Sequence, residues 1–194
     1  MSIKTPVEDV TIRKLRVGDV FYVSGTIYTM RDQAHKRILE LHMEPPVDLK
    51  GAVIYHCGPI IRKINEKWTV VSAGPTTSSR MDKYIPDLIR KFGVKVIIGK
   101  GDLSEKVVTA CREYGAIYGI FPGGMGALAA RSIRKVLGAE WTDLGMPEAI
   151  WKFEVEKFGP VFVVIDAHGN NLLKDIKKTV EKNVGKLLSS ICSD

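Results

Sequence analysis

The chain has 194 residues, of which 45% are hydrophobic and 26% charged, a balance typical of a globular protein with a buried core and not of a disordered chain. Its formal net charge of +7 is spread along stretches that also carry Asp and Glu, so a small anionic substrate ranks above nucleic acid as a partner. Because no segment resembles a signal peptide, a transit peptide or a membrane span, we expect a cytoplasmic protein without a membrane partner.

The first part of the chain is rich in predicted strands. Alternating side chains indicate a strand over residues 18–25, and apolar residues at helical spacing follow Arg31 to about residue 43. Two further runs, at 52–56 and 68–72, also have the composition of strands. Arg31 is therefore expected at the start of a helix that is laid across a strand-rich region.

From residue 81 onwards, helical and strand patterns alternate. The predicted helices cover residues 81–92, 103–114, 125–137 and about 172–191, and the predicted strands cover 94–98, 116–121 and 161–166. Strands that alternate with helices of this length predict parallel βαβ units. No internal repeat or low-complexity linker divides these segments, so we expect an α/β fold and a single domain over residues 1–194.

The cysteines are few and scattered. Cys57, Cys111 and Cys192 are odd in number and form no Cys-x-x-Cys pair. This spacing argues against a disulfide framework and against a zinc or iron–sulfur site built by this chain alone. The simplest interpretation is three thiols in a reducing compartment.

A polar turn follows the predicted strand at 68–72. It reads Gly-Pro-Thr-Thr-Ser-Ser-Arg-Met-Asp over residues 74–82 and leads into a helical pattern. At such a junction free backbone N–H groups can point at an anion, and Arg80, four residues after Thr76, lies on the same face of a helical turn. The combination suits a carboxylate or phosphate ligand. The alternative is an ordinary strand–turn–helix in which Thr76 or Thr77 caps the helix and Arg80 is solvated.

Three more turns follow predicted strands, at residues 99–102, 122–126 and 166–169. Open α/β sheets bind ligands outside the carboxyl ends of their strands, so we expect these turns to converge with the turn at 74–80. Neither glycine-rich turn has the spacing of a P-loop or of a dinucleotide fingerprint. The pattern therefore predicts a ligand site without naming a nucleotide.

Lys100 and two glycines are the notable residues of these turns. Lys100 stands between glycines just past a buried strand and is a candidate anion contact, with a solvated lysine as the alternative. For Gly126 we favour a role in backbone packing, and for Gly124 a close approach to a ligand.

Two histidines and one glutamate are further residues to consider for the ligand site. His35 lies one helical turn past Arg31 and is expected to face the same site. His56, next to Cys57, is interpreted as a satisfied core residue, and no histidine is assigned to a metal. Glu148, in a polar turn between two tryptophans, is the remaining candidate for a functional acid.

Four of these segments together resemble a known family. They are SGT at 24–26 with MRDQAHKR at 30–37, GPTTSSRMD at 74–82, GKG at 99–101 and DLGMPEA at 143–149. In this order they closely resemble the β subunit of iron–sulfur class I fumarate hydratases and L-tartrate dehydratases, over nearly the whole chain. Four motifs in register are more specific than any one of them, which disfavours the solvated alternatives above.

The resemblance implies a fold and a set of roles. The fold would be a swivelling β/β/α domain, in agreement with a strand-rich first half followed by βα units. Thr76 matches the family's catalytic threonine, the proposed base that removes the C3 proton of malate. Arg31, Arg80 and Lys100 match its contacts to the substrate carboxylates and hydroxyl. Because a free threonine hydroxyl is a very weak base, Thr76 would need activation by nearby cations such as Lys100 or by an anion-stabilising turn. The pair Ser78-Ser79 departs from the Ala-Gly common in single-chain fumarases.

The resemblance also implies a partner and a cofactor. A separate α subunit, in an α2β2 heterotetramer, would carry the [4Fe–4S] cluster, and this chain would carry no metal. The expected reaction is the reversible hydration of fumarate to (S)-malate, active only with the α subunit. Dehydration of L-tartrate is the close alternative, and a non-catalytic module that binds a small acid is the alternative from another class.

Overall fold

The computed structural model describes residues 1–65 and 67–191, along which strands and helices alternate. The strands are β1 (Ser2–Lys4), β2 (Val20–Thr29), β3 (Val53–Tyr55), β4 (Ile60–Ile64), β5 (Lys67–Ser72), β6 (Val96–Gly99), β7 (Ile117–Ile120), β8 (Ile133–Glu140) and β9 (Ile150–Ile165). The helices are α1 (Asp9–Ile12), α2 (Asp32–Leu39), α3 (Ile85–Phe92), α4 (Glu105–Tyr114), α5 (Gly126–Ser132) and α6 (Leu172–Ile191). Short 3₁₀ turns lie at Ser78–Met81 and Thr142–Leu144.

Five strands close into a mixed β-barrel. Their order is β2–β3–β6–β7–β9, and β9 pairs back onto β2. The pairs from β2 to β7 are parallel, whereas β9 is antiparallel to both of its neighbours in the ring. The predicted parallel βαβ units are confirmed, but the sheet is closed and not open. The carboxyl ends of β2, β3, β6 and β7 therefore share one rim of the barrel.

Side chains alternate between two buried clusters on the two faces of the parallel strands. Val53 and Tyr55 of β3 point into the barrel, while Ile54 between them packs outward under the helices. In β6, Ile97 likewise faces outward while its neighbours face inward. Strands buried on both faces read as nearly continuous apolar runs, which is why the sequence indicated them so clearly.

The predicted helix at 125–137 is wrong in its second half. Helix α5 ends at Ser132, and residues 133–140 form β8, which pairs antiparallel with β9. Ile133, Val136 and Ala139 pack against the barrel core from this strand. Their three-residue spacing imitates a helical stripe, because register shifts in the β8–β9 pair break the ordinary two-residue alternation.

Strand β9 is much longer than predicted. It runs from Ile150 to Ile165, whereas the sequence indicated only residues 161–166. Gly159 and Pro160, a pair that normally ends a strand, lie inside it. The extra length lets one strand pair with β8, β2 and β7, and so closes the barrel.

The turn at 166–169 does not converge with the others. Because β9 is antiparallel to β7, its carboxyl end lies at the opposite rim of the barrel. Asp166 is fully buried there, where its carboxylate accepts backbone N–H bonds from Val17, His168 and Asn170. This aspartate therefore closes a structural turn and takes no part in the predicted site.

Several other predictions are confirmed with ends shifted by a few residues. They are the strands at 18–25, 52–56, 68–72, 94–98 and 116–121, and the helices that follow Arg31 and that cover 103–114 and 172–191. The helix expected at 81–92 begins later, at Ile85, after a 3₁₀ turn. Strands β4 and β5 form a separate antiparallel ribbon beside α5 and β8. No helix within the described ranges is long and apolar enough to cross a membrane.

Candidate functional site

Thr76 and Lys100 are brought together by backbone pairing. The backbone N–H of Thr76 donates to the carbonyl of His56, just past β3, at 2.6 Å. Two residues later, the N–H of Ser78 donates to the carbonyl of Lys100, just past β6, at 2.8 Å. The turn at 75–78 is thus inserted between the carboxyl ends of two parallel strands. Thr76 and Lys100 are both half-buried at the barrel rim.

The glycine-rich turn after β7 also reaches this rim. The carbonyl of Gly126 accepts the N–H of Ala73 at 3.0 Å, and a Cβ on Gly126 would lie 2.3 Å from Ser72 Oγ. The predicted packing role of Gly126 is confirmed by this close approach. Gly124 has a left-handed φ of +80° and open space around it, and its approach to a ligand stays a prediction.

Arg31 follows directly after β2 and begins α2. Its guanidinium crosses the backbone of Gly58, where a Cβ would lie 2.4 Å from Nη1. Arg31 Nε lies 3.2 Å from Glu148 Oε1, while Glu148 Oε2 accepts the backbone N–H of Gln33 at 2.9 Å. Glu148, the candidate acid, therefore fixes the first turn of α2 and forms an ion pair with Arg31, although Arg31 Nε has no hydrogen-bond partner among the described residues.

Asp32 links Arg31 to Arg80. Asp32 Oδ2 lies 2.9 Å from Arg80 Nη2 and 4.0 Å from Arg31 Nε. The Arg80 side chain is 48% exposed and that of Arg31 is 21% exposed. Lys100 makes no ion pair with any residue of the described ranges. Arg31 and Arg80 thus share Asp32, and the half-exposed guanidinium of Arg80 gives this part of the rim a positive charge suited to an anionic ligand.

His35 and His56 lie behind these side chains and not among them. Both are fully buried, and His35 Nδ1 donates to the carbonyl of Arg31 at 2.7 Å. Burial lowers the pKa of His35 to about 4 and that of His56 well below its usual value. His35 is therefore close to Arg31, as expected, but it supports the backbone instead of facing a ligand. His56 is a core residue, as expected, but its Nε2 has no partner in the described part of the chain.

The lowered pKa of His35 predicts a loss of stability in acid. Its ordinary pKa of 6.5 applies to the unfolded chain, so only the unfolded state takes up a proton as the pH falls from 6.5 towards 4. This histidine alone should reduce the free energy of unfolding by about 2 kcal/mol between pH 7 and pH 5. Denaturant titrations at both pH values should show a correspondingly smaller loss in His35→Asn. The exposed control His42→Asn should behave like the wild type.

The described cysteines do not fit a cluster. Cys57 belongs to the barrel core and Cys111 to the outer core beneath the helices. Burial raises the pKa of both thiols, that of Cys111 to about 12, which disfavours the thiolate that a metal needs. Within residues 1–65 and 67–191 no three His, Cys, Asp or Glu side chains are grouped to hold a metal ion. Cys192 lies outside the described residues.

The sequence resembles a defined family across most of its length. The family described as "Fumarase C-terminus" matches residues 1–176. The chain belongs to this fumarase C-terminus family. The L(+)-tartrate dehydratase subunit beta of Escherichia coli strain K12 is 42% identical over 188 residues, which cover 97% of this chain and 94% of that protein.

Two further relatives show the range of proteins to which the chain is similar. A putative L(+)-tartrate dehydratase subunit beta of Methanocaldococcus jannaschii is 41% identical over 181 residues, 91% of this chain and 93% of that protein. A putative fumarate hydratase class I of Geobacillus stearothermophilus is 41% identical over 180 residues, 92% of this chain but 34% of that protein. The predicted family is thereby confirmed, while the roles of Thr76, Arg31, Arg80 and Lys100 stay predictions.

Several residues of this site escaped the sequence reasoning. Asp32 and Ser78 were interpreted only as parts of motifs, and Gly58 only as the end of the strand at 52–56. Asp32 contacts Arg80, Ser78 contacts His56, and Gly58 leaves room for the guanidinium of Arg31. Gly58 gave the best available signal, because a glycine just past a buried strand often marks a close approach. The partners of Asp32 and Ser78 are distant in sequence, and no local pattern reveals them.

Proposed function

We propose that this chain is the β subunit of a two-subunit L(+)-tartrate dehydratase, a hydro-lyase that converts L(+)-tartrate to oxaloacetate and water. The observation that carries the proposal is the match to a tartrate dehydratase β subunit over 97% of this chain and 94% of that protein. Fumarate hydration, which the sequence favoured first, becomes the second candidate. It is supported by the 41% identity to a putative fumarate hydratase class I, a match that covers 92% of this chain but only 34% of that protein.

Arg31 and Arg80 are proposed to bind the two carboxylates of the substrate. An arginine fork binds a carboxylate bidentately and fixes its plane, which a lysine does less well. Asp32 holds the two guanidinium groups near one another, with distances of 2.9 Å to Arg80 and 4.0 Å to Arg31. A four-carbon dicarboxylate presents two such anions a few ångströms apart, so two linked arginines suit it.

Thr76 is proposed to remove the proton from the carbon next to the departing hydroxyl. A free threonine hydroxyl is a very weak base, so its alkoxide needs stabilisation by a nearby positive charge. Lys100 belongs to the same backbone-paired unit, through Ser78, and carries no ion pair with the described carboxylates. Its ammonium is therefore available to stabilise either the Thr76 alkoxide or a substrate oxygen.

The rest of the machinery is proposed to lie on an α subunit. A [4Fe–4S] cluster on that subunit would act as a Lewis acid towards the leaving hydroxyl. Among the described residues, the thiols of Cys57 and Cys111 are buried and their pKa values are raised, which makes both cysteines poor cluster ligands and supports this division. We propose a cytoplasmic α2β2 assembly in which this chain forms a single swivelling β/β/α domain, built from the barrel and its flanking helices.

The experiment that tests the proposal compares substrates. The chain is produced with its cluster-bearing α subunit under anaerobic conditions and assayed on L(+)-tartrate, D(−)-tartrate and (S)-malate. We expect kcat/KM for L(+)-tartrate to exceed that for malate by at least ~10-fold. A preference for malate would establish the fumarase alternative. A folded, cluster-loaded complex that turns over none of the three would indicate a module that only binds a small acid.

A further inference from the structure

Two histidines are buried side by side beneath the candidate site. His35 comes from α2 and His56 from the residue after β3, and neither side chain is exposed. Their ring centroids are 5.1 Å apart in an edge-to-face arrangement, and the Tyr84 ring stacks on His35 with its centroid at 5.8 Å. The pair therefore connects two segments that are distant in sequence.

Each histidine fixes one loop of the site. His35 Nδ1 must be the donor to the Arg31 carbonyl at 2.7 Å, because a carbonyl only accepts. His56 Nδ1 lies 2.8 Å from Ser78 Oγ, and the His56 carbonyl accepts the N–H of Thr76 at 2.6 Å. One imidazole thus supports the backbone of Arg31, and the other holds the turn that carries Thr76.

Gly99 gives independent support for the contact between His56 and Ser78. A Cβ at position 99 would lie 1.9 Å from Ser78 Oγ and 3.3 Å from His56 Nδ1. Gly99 does not have the left-handed φ that would call for glycine on its own. The missing side chain is therefore explained by the room that this hydrogen bond needs.

The pair is costly for the fold. Nε2 of His35 and Nε2 of His56 are both buried without a hydrogen-bond partner among the described residues. A buried nitrogen without a partner destabilises the folded state, and apolar side chains of similar size would avoid that cost. Because both histidines carry such an atom and their rings contact each other, we infer that the pair has a role other than stabilising the fold.

We propose that His35 and His56 are positioning residues that hold Arg31 and the Thr76 turn in a fixed relative arrangement. The proposal rests on the proposed function, from which the roles of Arg31 and Thr76 are taken. His56 acts on the Thr76 turn, so its loss should lower kcat. His35 acts on Arg31, so its loss should mainly raise KM.

The kinetic test uses the assembled α/β complex with L(+)-tartrate. His56→Leu should lower kcat by at least ~10-fold with KM changed less than ~3-fold, and His35→Leu should raise KM by at least ~10-fold with a smaller change in kcat. His56→Asn should restore kcat to within ~3-fold of the wild type, because the asparagine amide can occupy the position of Nδ1. Gly99→Ala should reproduce the loss seen in His56→Leu. The exposed His42→Asn is the matched control.

A second readout separates this proposal from the proposed function. Amide hydrogen exchange over residues 74–80 of the isolated chain should become at least ~10-fold faster in His56→Leu and in Gly99→Ala, but not in His56→Asn. Unchanged exchange in the first two variants would overturn the positioning role, whatever the activity. If the wild-type complex acts on neither tartrate nor malate, the proposed function fails, while the exchange experiment still decides whether His56 holds the turn at 74–80.

Discussion

Replacing Thr76 with valine should lower kcat of the α/β complex on L(+)-tartrate by at least ~100-fold while the subunit stays folded. Valine keeps the branched shape of threonine and removes only the hydroxyl that we propose as the base. The backbone N–H of Thr76 donates to the His56 carbonyl at 2.6 Å, a contact that does not depend on the side chain, so the turn should keep its place. Steady-state kinetics and a thermal melt of each protein check both parts of this expectation.

The adjacent Thr77 provides a matched control. Thr77 is also half-buried, and its backbone pairs with Lys100. Thr77→Val removes a hydroxyl from the same turn and should leave kcat within ~3-fold of the wild type. Normal turnover in Thr76→Val would show that the Thr76 hydroxyl is not the base and that this residue only forms part of the turn. Equal losses in both variants would show that the turn, and not one hydroxyl, is required.

Replacing Arg31 with lysine should cost on the order of 2–4 kcal/mol of transition-state stabilisation, or roughly 30- to 1000-fold in kcat/KM, much of it as raised KM. The charge is kept, but the fork that fixes the plane of a carboxylate is lost. Arg80→Lys should act in the same direction with a smaller effect, because Arg80 is 48% exposed and Arg31 only 21%. The kinetics should be measured at several tartrate concentrations, so that KM and kcat are separated.

Arg90 is the control for the loss of a guanidinium. It lies on α3, is 53% exposed and pairs with Asp87 at 2.7 Å, a contact that a lysine can keep. Arg90→Lys should leave kcat and KM unchanged within error, since exposed ion pairs contribute little. A near-normal KM in both Arg31→Lys and Arg80→Lys would show that neither arginine binds the substrate.

The parallel part of the fold could be predicted from the sequence, and the closure of the barrel could not. Strands β3, β6 and β7 are buried on both faces, so they appear as short apolar runs between amphipathic helices. The closing strand β9 contains Gly159-Pro160, a pair that usually marks a turn and interrupts the strand pattern. Its pairing with β2 joins residues that are far apart in sequence, which local patterns do not record.

The candidate site, like the barrel, depends on contacts between residues that are far apart in sequence. Lys100 was found because it lies just past a strand of the parallel sheet, Arg31 because it begins a helical pattern, and Thr76 because a polar turn follows the strand at 68–72. Strand β5 belongs to the separate ribbon, so the place of Thr76 at the barrel rim depends on tertiary pairing. The turn at 166–169 was wrongly included because the direction of β9 depends on tertiary pairing. The supporting contacts of Asp32, Gly58 and His56 join loops from different strands. Such contacts exist only after the chain has folded.

The most direct test of the central claim is a titration of the two separate subunits. Purified β subunit is added to a fixed amount of anaerobic, cluster-loaded α subunit, and the rate of oxaloacetate formation from L(+)-tartrate is recorded. We expect no turnover by either subunit alone and a rate that rises with added β subunit and saturates at one β per α. Turnover by the α subunit alone, or by this chain alone, would contradict the proposal that this chain supplies the acid-binding and proton-removing half of the site.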